Sequence, residues 1–525
     1  MVSYSFREEN WENFELVEED IEFLYNYLLE LETPLTPSDL VSALAEERIQ
    51  REIREIEKQR TSGGEIYFPK EHFEVDQNLV FPVFDWQQGT VISIRPGNNP
   101  ELDSFDVIKV KMDDGNEREL AAGIEDHTLN QPPDIVQQDA LLDLQFVLNN
   151  YGDELERRLE LGLYEHQDFV RIAGRWFPRA LLVDVNVGHL NLAEAVLDME
   201  GGGPLSTSEL IEHVELPSDV NTKLVEFSLD LAMEEDERFD EVGPAGKVLW
   251  YLKRLEPQAV LETPIYLRYH EVDYDRSDLN SEMLILEREL DDELSPIEAR
   301  PVEADEVVVR LIFPHWRAGT LPLSNRIQHL FPTAYEAPRI RFVMVEGRTK
   351  DKFPGWVVRN KYYVYGLKEW YEDQGLIPGS FVRLRRGDRR GEVIVSSDIQ
   401  RSSRDWMRTL LVGSDGGIVF AMLKQIVSAA YDERMAIAIP DVDALDQVWK
   451  NMQKNRRPFE RIMVDMVREL AKINPQSHVH VSELYAAVNL VYRCPPGPIL
   501  SILNSRPWFV HVGDMYFRFD DSEQI

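Results

Sequence analysis

The chain has 525 residues and a mass of 61.0 kDa, which at about 100 to 200 residues per domain predicts three to five domains. Hydrophobic residues make up 43% and charged residues 29% of the sequence. This composition excludes a largely disordered protein, because it allows hydrophobic cores to form. With 95 acidic and 56 basic residues the formal net charge is −39, which excludes a protein whose entire surface attracts polyanions.

Membrane and disulfide signals are lacking in the sequence. No apolar run approaches the roughly 18 to 20 residues that span a bilayer, and the amino terminus has neither the basic flank nor the apolar core of a signal peptide. Cys494 is the single cysteine, so no intrachain disulfide or cysteine-rich zinc site can form. We therefore expect a cytoplasmic protein that contacts no membrane and uses no metal or cofactor.

Charge is distributed unevenly along the chain. Residues 1–306 carry 25 Lys+Arg against 71 Asp+Glu, whereas residues 307–411 carry 19 against 10 and residues 412–525 carry 12 against 14. We call residues 307–411 the basic segment. The asymmetry predicts either nucleic-acid contact by the basic segment or a charged partner for the acidic front half.

A helix, a short turn and a second helix are predicted within residues 1–75. The same order returns from residues 192 and 462, as expected of a repeated supersecondary unit. In the first copy Arg48, Arg51 and Arg54 alternate with glutamates. That pattern favours a solvated helix with internal ion pairs over a helix that contacts a DNA groove.

Residues 76–130 change to alternating apolar and polar positions, which predicts β-strands. The Asp-Asp-Gly-Asn turn at residues 113–116 is a hairpin signal. The spacing resembles small Tudor- or KOW-like β-barrels, which bind nucleic acids, peptides or polymerase surfaces. Lys109 and Lys111 project to one face, and both nucleic-acid contact and a purely structural role stay open.

Alternating apolar residues around a glycine follow three helical stretches and predict two-stranded hairpins. These hairpins lie at residues 169–177, 239–250 and 509–517. In the second copy Ser206 and Glu209 have capping-box spacing, which predicts a helix start. Three helices followed by a hairpin predict winged helix-turn-helix units at residues 131–185, 186–262 and 456–525.

These repeated helices and hairpins resemble the HARE-type helix-turn-helix family, and the resemblance implies a role in transcription or chromatin. Winged helices also bind proteins, so DNA contact is judged unit by unit. Residues 234–237 are all acidic and precede the second hairpin, so the unit at 186–262 is predicted to bind protein or to pack. Arg456, Arg457 and Arg493 of the last unit are predicted phosphate contacts.

The basic segment has the strongest functional signal. Trp356 lies in a predicted strand that leads through a polar loop to a second strand, an aromatic helix at 368–372 and a glycine-containing stretch at 375–384. This order resembles the plant-type B-three DNA-binding pseudobarrel, which is also the effector domain of some restriction enzymes. Ser380 stands where that family usually has aspartate.

The B-three resemblance implies that two arms grip the major groove of duplex DNA. The arms correspond to Ser324, Asn325 and Arg326, and to Arg359, Asn360 and Lys361. Arginine suits guanine and asparagine suits adenine, and further arginines suit phosphates. The predicted phosphate contacts of this segment are Arg383, Arg385, Arg386, Arg389 and Arg390. In the alternative interpretation, arginines of the basic segment dock onto the acidic front half of the same chain.

No active site is predicted. Residues 243–248 lack the first glycine and the Ser/Thr of a nucleotide-binding Walker loop. His478 and His480 share a strand without further metal ligands nearby in sequence, and Cys494 has no recognisable histidine partner. We expect a protein that is not an enzyme.

The predicted fold class is α+β multidomain, with repeated winged helix-turn-helix units, a small Tudor/KOW-like β-barrel and a B-three-like pseudobarrel. Two linking regions complete the division: an acidic connector at 263–306 and a helical connector at 412–455. The predicted function is non-enzymatic binding of duplex DNA in transcription or nucleoid organisation. Two alternatives stay open: an acidic adaptor or DNA mimic that binds RNA polymerase or another basic protein, and the DNA-recognition subunit of a restriction or defence system.

Overall fold

A computed structural model of the chain describes residues 9–61, 64–84, 86–99, 104–131, 140–217, 219–296, 304–389, 391–414, 416–455, 457–520 and 522. Its contacts divide the chain into two compact units. Unit 1 comprises Met1–Val183 and Asp219–Leu224, and unit 2 comprises Asp184–Ser218 and Val225–Ile525. Both units combine helices with separate sheets, which confirms the predicted α+β multidomain class. Of the residues described, no helix has the length and apolar character that a membrane crossing requires.

Unit 1 contains a five-stranded sheet between helices. Its elements are α1 (Glu9–Glu12), α2 (Glu18–Leu31), α3 (Pro37–Thr61), β1 (Glu65–Ile66), β2 (Asn78–Phe81), β3 (Gln87–Pro96), β4 (Asp106–Met112), β5 (Glu117–Ala122), α4 (Leu144–Glu165), β6 (Phe169–Ile172) and β7 (Arg175–Pro178). Strands β1 to β5 pair in sequence order around a core that includes Leu79, Val91 and Ile108. The predicted hairpin turn joins β4 to β5, with Gly115 at φ 85°. Lys109 of β4 pairs with Glu117 at 2.5 Å.

The helices of unit 1 pack together although the sheet is inserted between α3 and α4 in the chain. Leu35, just before α3, exchanges two backbone hydrogen bonds with Trp176 of β7, at 3.2 and 2.8 Å. Arg158 of α4 donates to the carbonyl of Phe14 at 3.0 Å. The segments 1–75 and 131–185, predicted as separate units, therefore form one helical body with the sheet inserted between α3 and α4. The two segments are held together because β7 pairs with the residue before α3, and Trp176 of β7 is buried to 1% exposure.

Two of the three α3 arginines make the ion pairs within the helix that their spacing predicted. Arg51 and Arg54 both contact the Glu47 carboxylate, at 3.4 and 2.7 Å. Arg48 and Arg51 also pair with Asp20 of α2, whose side chain is fully buried. Arg48 and Arg51 therefore fix α2 against α3, whereas Arg54 is exposed and pairs within α3.

Unit 2 begins with a small helical module. Its elements are α5 (Val187–Met199), β8 (Leu205–Ser206), α6 (Thr207–Ile211), α7 (Thr222–Glu234), β9 (Phe239–Glu241), β10 (Leu249–Leu252) and α8 (Gln258–Leu261), and α9 (Ser281–Leu290) follows. The predicted capping box is present, because Ser206 and Glu209 exchange side-chain to backbone hydrogen bonds at 2.8 and 3.3 Å. The sheet order is β8-β10-β9. We call residues 186–262 the acidic module.

One curved seven-stranded sheet forms the centre of unit 2. Its elements are β11 (Glu306–Arg310), α10 (Phe313–Ala318), β12 (Thr320–Pro322), β13 (Arg339–Glu346), β14 (Lys352–Val358), β15 (Tyr363–Tyr365), α11 (Lys368–Asp373), β16 (Phe381–Arg386) and β17 (Glu392–Ser397). The strand order is β11-β16-β17-β13-β14-β15-β12, and among these neighbours β13 and β17 run parallel. Gly319 ends α10 at φ 68°, and a Cβ there would lie 2.8 Å from the Lys368 backbone nitrogen. We call this sheet with its two helices the half-barrel.

The last part of unit 2 joins a long hairpin to a second helical module. Its elements are β18 (Ile399–Val412), β19 (Ile418–Ala429), α12 (Val442–Asn455), α13 (Phe459–Ala471), β20 (Val479–His480), α14 (Val481–Val488), α15 (Pro496–Ser505), β21 (Phe509–Gly513) and β22 (Tyr516–Phe519). The segment 412–455, predicted as a helical connector, therefore begins with β19, because Ile418–Ala429 pairs along β18. The sheet order β20-β22-β21 repeats the order β8-β10-β9 of the acidic module.

A buried ionic cluster ties together three parts of unit 2. The guanidinium of Arg493 pairs with Asp292 and Glu293, each at 2.7 Å, and its side chain is 0% exposed. Glu293 also contacts His315 of α10 at 3.1 Å. Tyr485 of α14 donates to Asp292 at 2.5 Å. The cluster thus connects the predicted acidic connector, the half-barrel and the second helical module at residues 459–519, which we call the carboxy-terminal module.

The position of Arg493 corrects its predicted role. A phosphate cannot reach a side chain that is fully enclosed and already paired with two carboxylates. The sequence pattern around Arg493 does not differ from that of a surface arginine, because its carboxylate partners lie some 200 positions earlier in the chain.

Removing the Arg493 charge is expected to destabilise unit 2 strongly. Arg493→Met leaves two carboxylates buried without their cation, which costs about 3 to 5 kcal/mol. Arg506→Met, which removes the partially exposed partner of Glu460, is the matched control and should cost no more than about 1 kcal/mol. Urea unfolding of the full chain measures both, and equal losses would contradict the assignment of the cluster as the central tie.

Candidate nucleic-acid interface

The two predicted arms lie side by side at one end of the half-barrel. β12 pairs antiparallel with β15, and Pro322 lies opposite Tyr363. The amide of Leu323 donates to the carbonyl of Tyr362 at 2.7 Å. Residues 324–326 leave β12 at the point where residues 359–361 lead into β15, so strand register alone brings these segments together.

A third basic segment reaches the same end of the sheet. β13 begins at Arg339, opposite the last residue of β14. β17 runs parallel to β13 and begins with Glu392 beside Val343. The turn between β16 and β17 therefore lies at the end where β13 starts and β14 finishes, which is the end that carries both arms. We call this end of the half-barrel the arm end.

Residues of the first arm differ in their exposure. Ser324 is buried at 2% exposure and donates from its hydroxyl to Asp291 at 2.6 Å. Asn325 is half-buried and accepts from Gln328 at 3.4 Å. Arg326 is exposed. Ser324 therefore anchors the arm, and Arg326 is the residue of this arm that a ligand can approach most readily.

The second arm presents polar side chains to solvent. Asn360 and Lys361 are exposed, whereas Arg359 is half-buried and donates to the carbonyl of Ala337 at 3.0 Å. Tyr362 follows at φ 57° with 53% of its surface exposed. Tyr362 was not among the predicted site residues, although an aromatic residue after three polar ones in the arm was a usable signal.

The other predicted phosphate contacts fall into four groups. Arg383 is occupied, because hydrogen bonds to Asp398 and Glu306, at distances of 2.7 to 3.0 Å, hold it in mid-strand and raise its pKa. Exposed residues of the arm end are Arg385, Arg386 and Arg389. Arg457 contacts Asp465 at 3.5 Å in the carboxy-terminal module. Arg390 and Arg456 lie outside the described residues.

Arginines of the half-barrel also dock onto the acidic module. Arg339 contacts Asp240 at 2.5 Å and Glu256 at 3.2 Å. The guanidinium of Arg341 lies 5.6 Å from the ring centroid of Tyr251. The alternative drawn from sequence, docking of the basic segment onto the acidic part of the chain, therefore occurs at these two residues of β13, whereas Arg326, Asn360 and Lys361 remain outside that contact.

An apolar cluster completes the contact between the acidic module and the half-barrel. Trp356 is 3% exposed and meets Tyr251 edge to face, with ring centroids 5.3 Å apart. Val242 and Val260 of the acidic module belong to the same cluster as Trp356 and Tyr363. These aromatic residues are therefore core residues and not a platform for stacking bases.

Buried carboxyl groups accumulate in the acidic module. Burial raises the pKa of Asp230 to about 7, although Trp250 donates to its carboxylate at 2.8 Å. Burial likewise raises the pKa of Glu241 to about 8. Burial and the neighbouring Asp240 place the pKa of Glu256 well above its usual range. The module therefore takes up protons when it folds near neutral pH.

Within the described part of the chain, no three His, Cys, Asp or Glu side chains gather in a way that could hold a metal ion. Cys494 is buried, and burial raises the pKa of its thiol, which disfavours the reactive thiolate. His480 accepts the amide of Ser482 at 3.0 Å as a helix cap. The exposed cations at the arm end thus remain the strongest candidate for function.

Comparison with known proteins adds no relative. No family model matches the chain, and neither the curated proteins nor the solved structures include a significant match. Function is therefore inferred from the geometry and charge of the arm end.

The acidic module is expected to lose stability as the pH rises. The Asp230 carboxyl is protonated in the folded state and ionised in the unfolded state between its ordinary pKa of 3.8 and about 7. Its contribution is therefore fully present below the lower value and lost as the pH rises through the upper one. Between about pH 5 and about pH 8 the loss is on the order of 2 kcal/mol.

Asp230→Asn isolates this effect, because the amide oxygen still accepts from Trp250 but cannot ionise. Scanning calorimetry of both proteins should show a smaller pH dependence in the variant. The prediction is wrong if the parent unfolds at the same temperature at the lower and the higher pH and the variant does the same. Burial of Asp230 would then not couple folding to proton uptake.

Proposed function

We propose that the chain is a non-enzymatic DNA-binding protein that contacts duplex DNA through the arm end of the half-barrel. The observation that carries the proposal is the strand register, which brings residues 324–326, residues 359–361 and the β16–β17 turn to one end of a single sheet. A basic end on a rigid sheet provides a surface that phosphates attract and that strands hold in place.

The side chains at the arm end suit two kinds of DNA contact. Arg326 and Asn360 are side chains of the types that read base edges, since arginine pairs with guanine and asparagine with adenine. Lys361 and Arg385 suit phosphates as exposed cations. Tyr362 adds an exposed ring between the arms. Ser324 and Arg359 act through their bonds to Asp291 and Ala337, which fix the arms.

The topology supports the finer fold assignments within this proposal. The helix, strand, helix, helix, strand, strand order occurs in the acidic module and again in the carboxy-terminal module, as in winged helix-turn-helix units. The half-open seven-stranded sheet with arms at one end supports a B-three-like pseudobarrel. The small sheet at residues 65–122 supports a Tudor- or KOW-like barrel. We propose transcription or nucleoid organisation as the setting.

The carboxy-terminal module has a smaller part in the proposal than its sequence indicated. Arg493 is buried, and Arg457 and Arg506 both contact carboxylates of their own module. The arm end therefore supplies the main DNA contacts. The acidic front half is proposed to limit nonspecific DNA binding or to engage a basic protein such as RNA polymerase.

Charge reversal at the arm end is expected to abolish DNA binding. The variant is the full chain with Arg326→Glu and Lys361→Glu, and the probe is a mixed-sequence duplex titrated at several salt concentrations. Removing two cations and adding two anions should reduce the affinity for DNA by at least about 100-fold at moderate salt. Each lost phosphate contact should also reduce the slope of log affinity against log salt by about 0.9.

The matched control is Arg348→Glu with Lys350→Glu. These exposed cations lie in the turn between β13 and β14, at the opposite end of the same strands, and the change in net charge is identical. The control should bind DNA nearly as well as the parent. Equal loss in both variants would mean that net charge alone acts, and no binding by the parent would overturn the proposal in favour of a protein-binding adaptor.

A further inference from the structure

A cleft opens between the acidic module and the half-barrel. It has a volume of about 890 Å³. One wall is the loop between β9 and β10, at residues 244–247, and the other walls are residues 329–333 and the β16–β17 turn. The β16–β17 turn belongs to the arm end, so the cleft lies next to the surface proposed to bind DNA.

Backbone hydrogen bonds fix the walls of this cleft in place. The amide of Ala245 donates to the carbonyl of Thr333 at 2.6 Å, and the amide of Arg341 donates to the carbonyl of Val242 at 2.9 Å. Arg386 donates from its guanidinium to the carbonyl of His329 at 2.7 Å. The cleft is therefore preformed, and a ligand would not have to order either wall, which favours affinity.

The charges that line the cleft favour an anion. Lys247 on one wall and Arg389 on the other are exposed, and the guanidinium of Arg386, which also lines the cleft, is held by the carbonyl of His329. Of the acidic lining residues, Glu392 is neutralised by Lys352 at 2.5 Å, which leaves Asp388. Cations from both walls thus face a space wide enough for a phosphate and its substituents.

We propose that this cleft binds a phosphate group, with Lys247 and Arg389 as contacts from opposite walls. The acidic module would thereby contribute a cation to the interface, although the acidic residues before its hairpin predicted protein contact. Lysine suits this role as a point charge, and arginine adds directed hydrogen bonds. The phosphate can come from the DNA backbone, in which case the inference rests on the proposed function, or from a free nucleotide.

The test neutralises both walls in the full chain. Lys247→Gln with Arg389→Gln is compared with Arg348→Gln and Lys350→Gln, which remove the same charge at the opposite end of the sheet. Two probes are used: a mixed-sequence duplex over a salt series, and inorganic pyrophosphate followed by calorimetry. The cleft variant should lower the salt slope for DNA by about 1.8, the value of two phosphate contacts, and the control should leave it unchanged.

The two probes separate this inference from the proposed function. If the parent binds pyrophosphate but not DNA, and the cleft variant does not bind pyrophosphate, the cleft is a nucleotide-phosphate site and the DNA proposal is overturned. Normal DNA binding with equal slopes and equal pyrophosphate affinity in both variants would overturn the cleft and leave the DNA proposal standing. Failure of the parent to bind either probe would overturn both. Unchanged unfolding temperatures in the variants confirm that folding is intact.

Discussion

The enclosed pairing of Arg493 with Asp292 and Glu293 is the constraint on which the arrangement of unit 2 depends. Burial alone would raise the pKa of Glu293, but the charge of Arg493 and the contact with His315 lower it and keep the carboxylate ionised. The cluster joins the connector that carries Asp292 and Glu293 to α10 of the half-barrel and to the carboxy-terminal module. Asp291, next in the chain, accepts the hydroxyl of Ser324, so the same connector that carries the cluster also fixes the first arm.

Opposite charges have two separate uses in this chain. Two arginines of β13 contact the acidic module. Arg339 pairs with Asp240 and Glu256, and Arg341 packs against the ring of Tyr251. Arg326, Asn360 and Lys361 leave the same sheet at its end and stay accessible. The acidic module therefore docks at the arm end itself, because Arg339 and Tyr363 both lie at that end of the half-barrel. The proposed DNA contacts are the side chains of the arm end that this docking leaves exposed.

Local signals in the sequence located many elements of the fold. The Ser206 capping box, the turn at 113–116 and the hairpins around residues 174, 243 and 513 all depend on residues close in the chain, and each is present. The long hairpin was missed in part, because the serines and charges around residue 403 obscure its alternation. The joining of α3 to α4 across an inserted sheet was also missed, since it rests on contacts between residues far apart in the chain, such as the backbone pair at Leu35 and Trp176.

The sequence by itself determined the composition class, the uneven charge and the candidate basic segment, because these follow from residue identity and short spacing. Tertiary structure decided which cations are accessible. Arg493, Arg383 and Arg326 are alike as sequence symbols, yet the first is enclosed by carboxylates, the second is paired in mid-strand and the third is exposed. The physical reason is that the free energy of a charge depends on its desolvation and its partners, and both are set by residues far away in the chain.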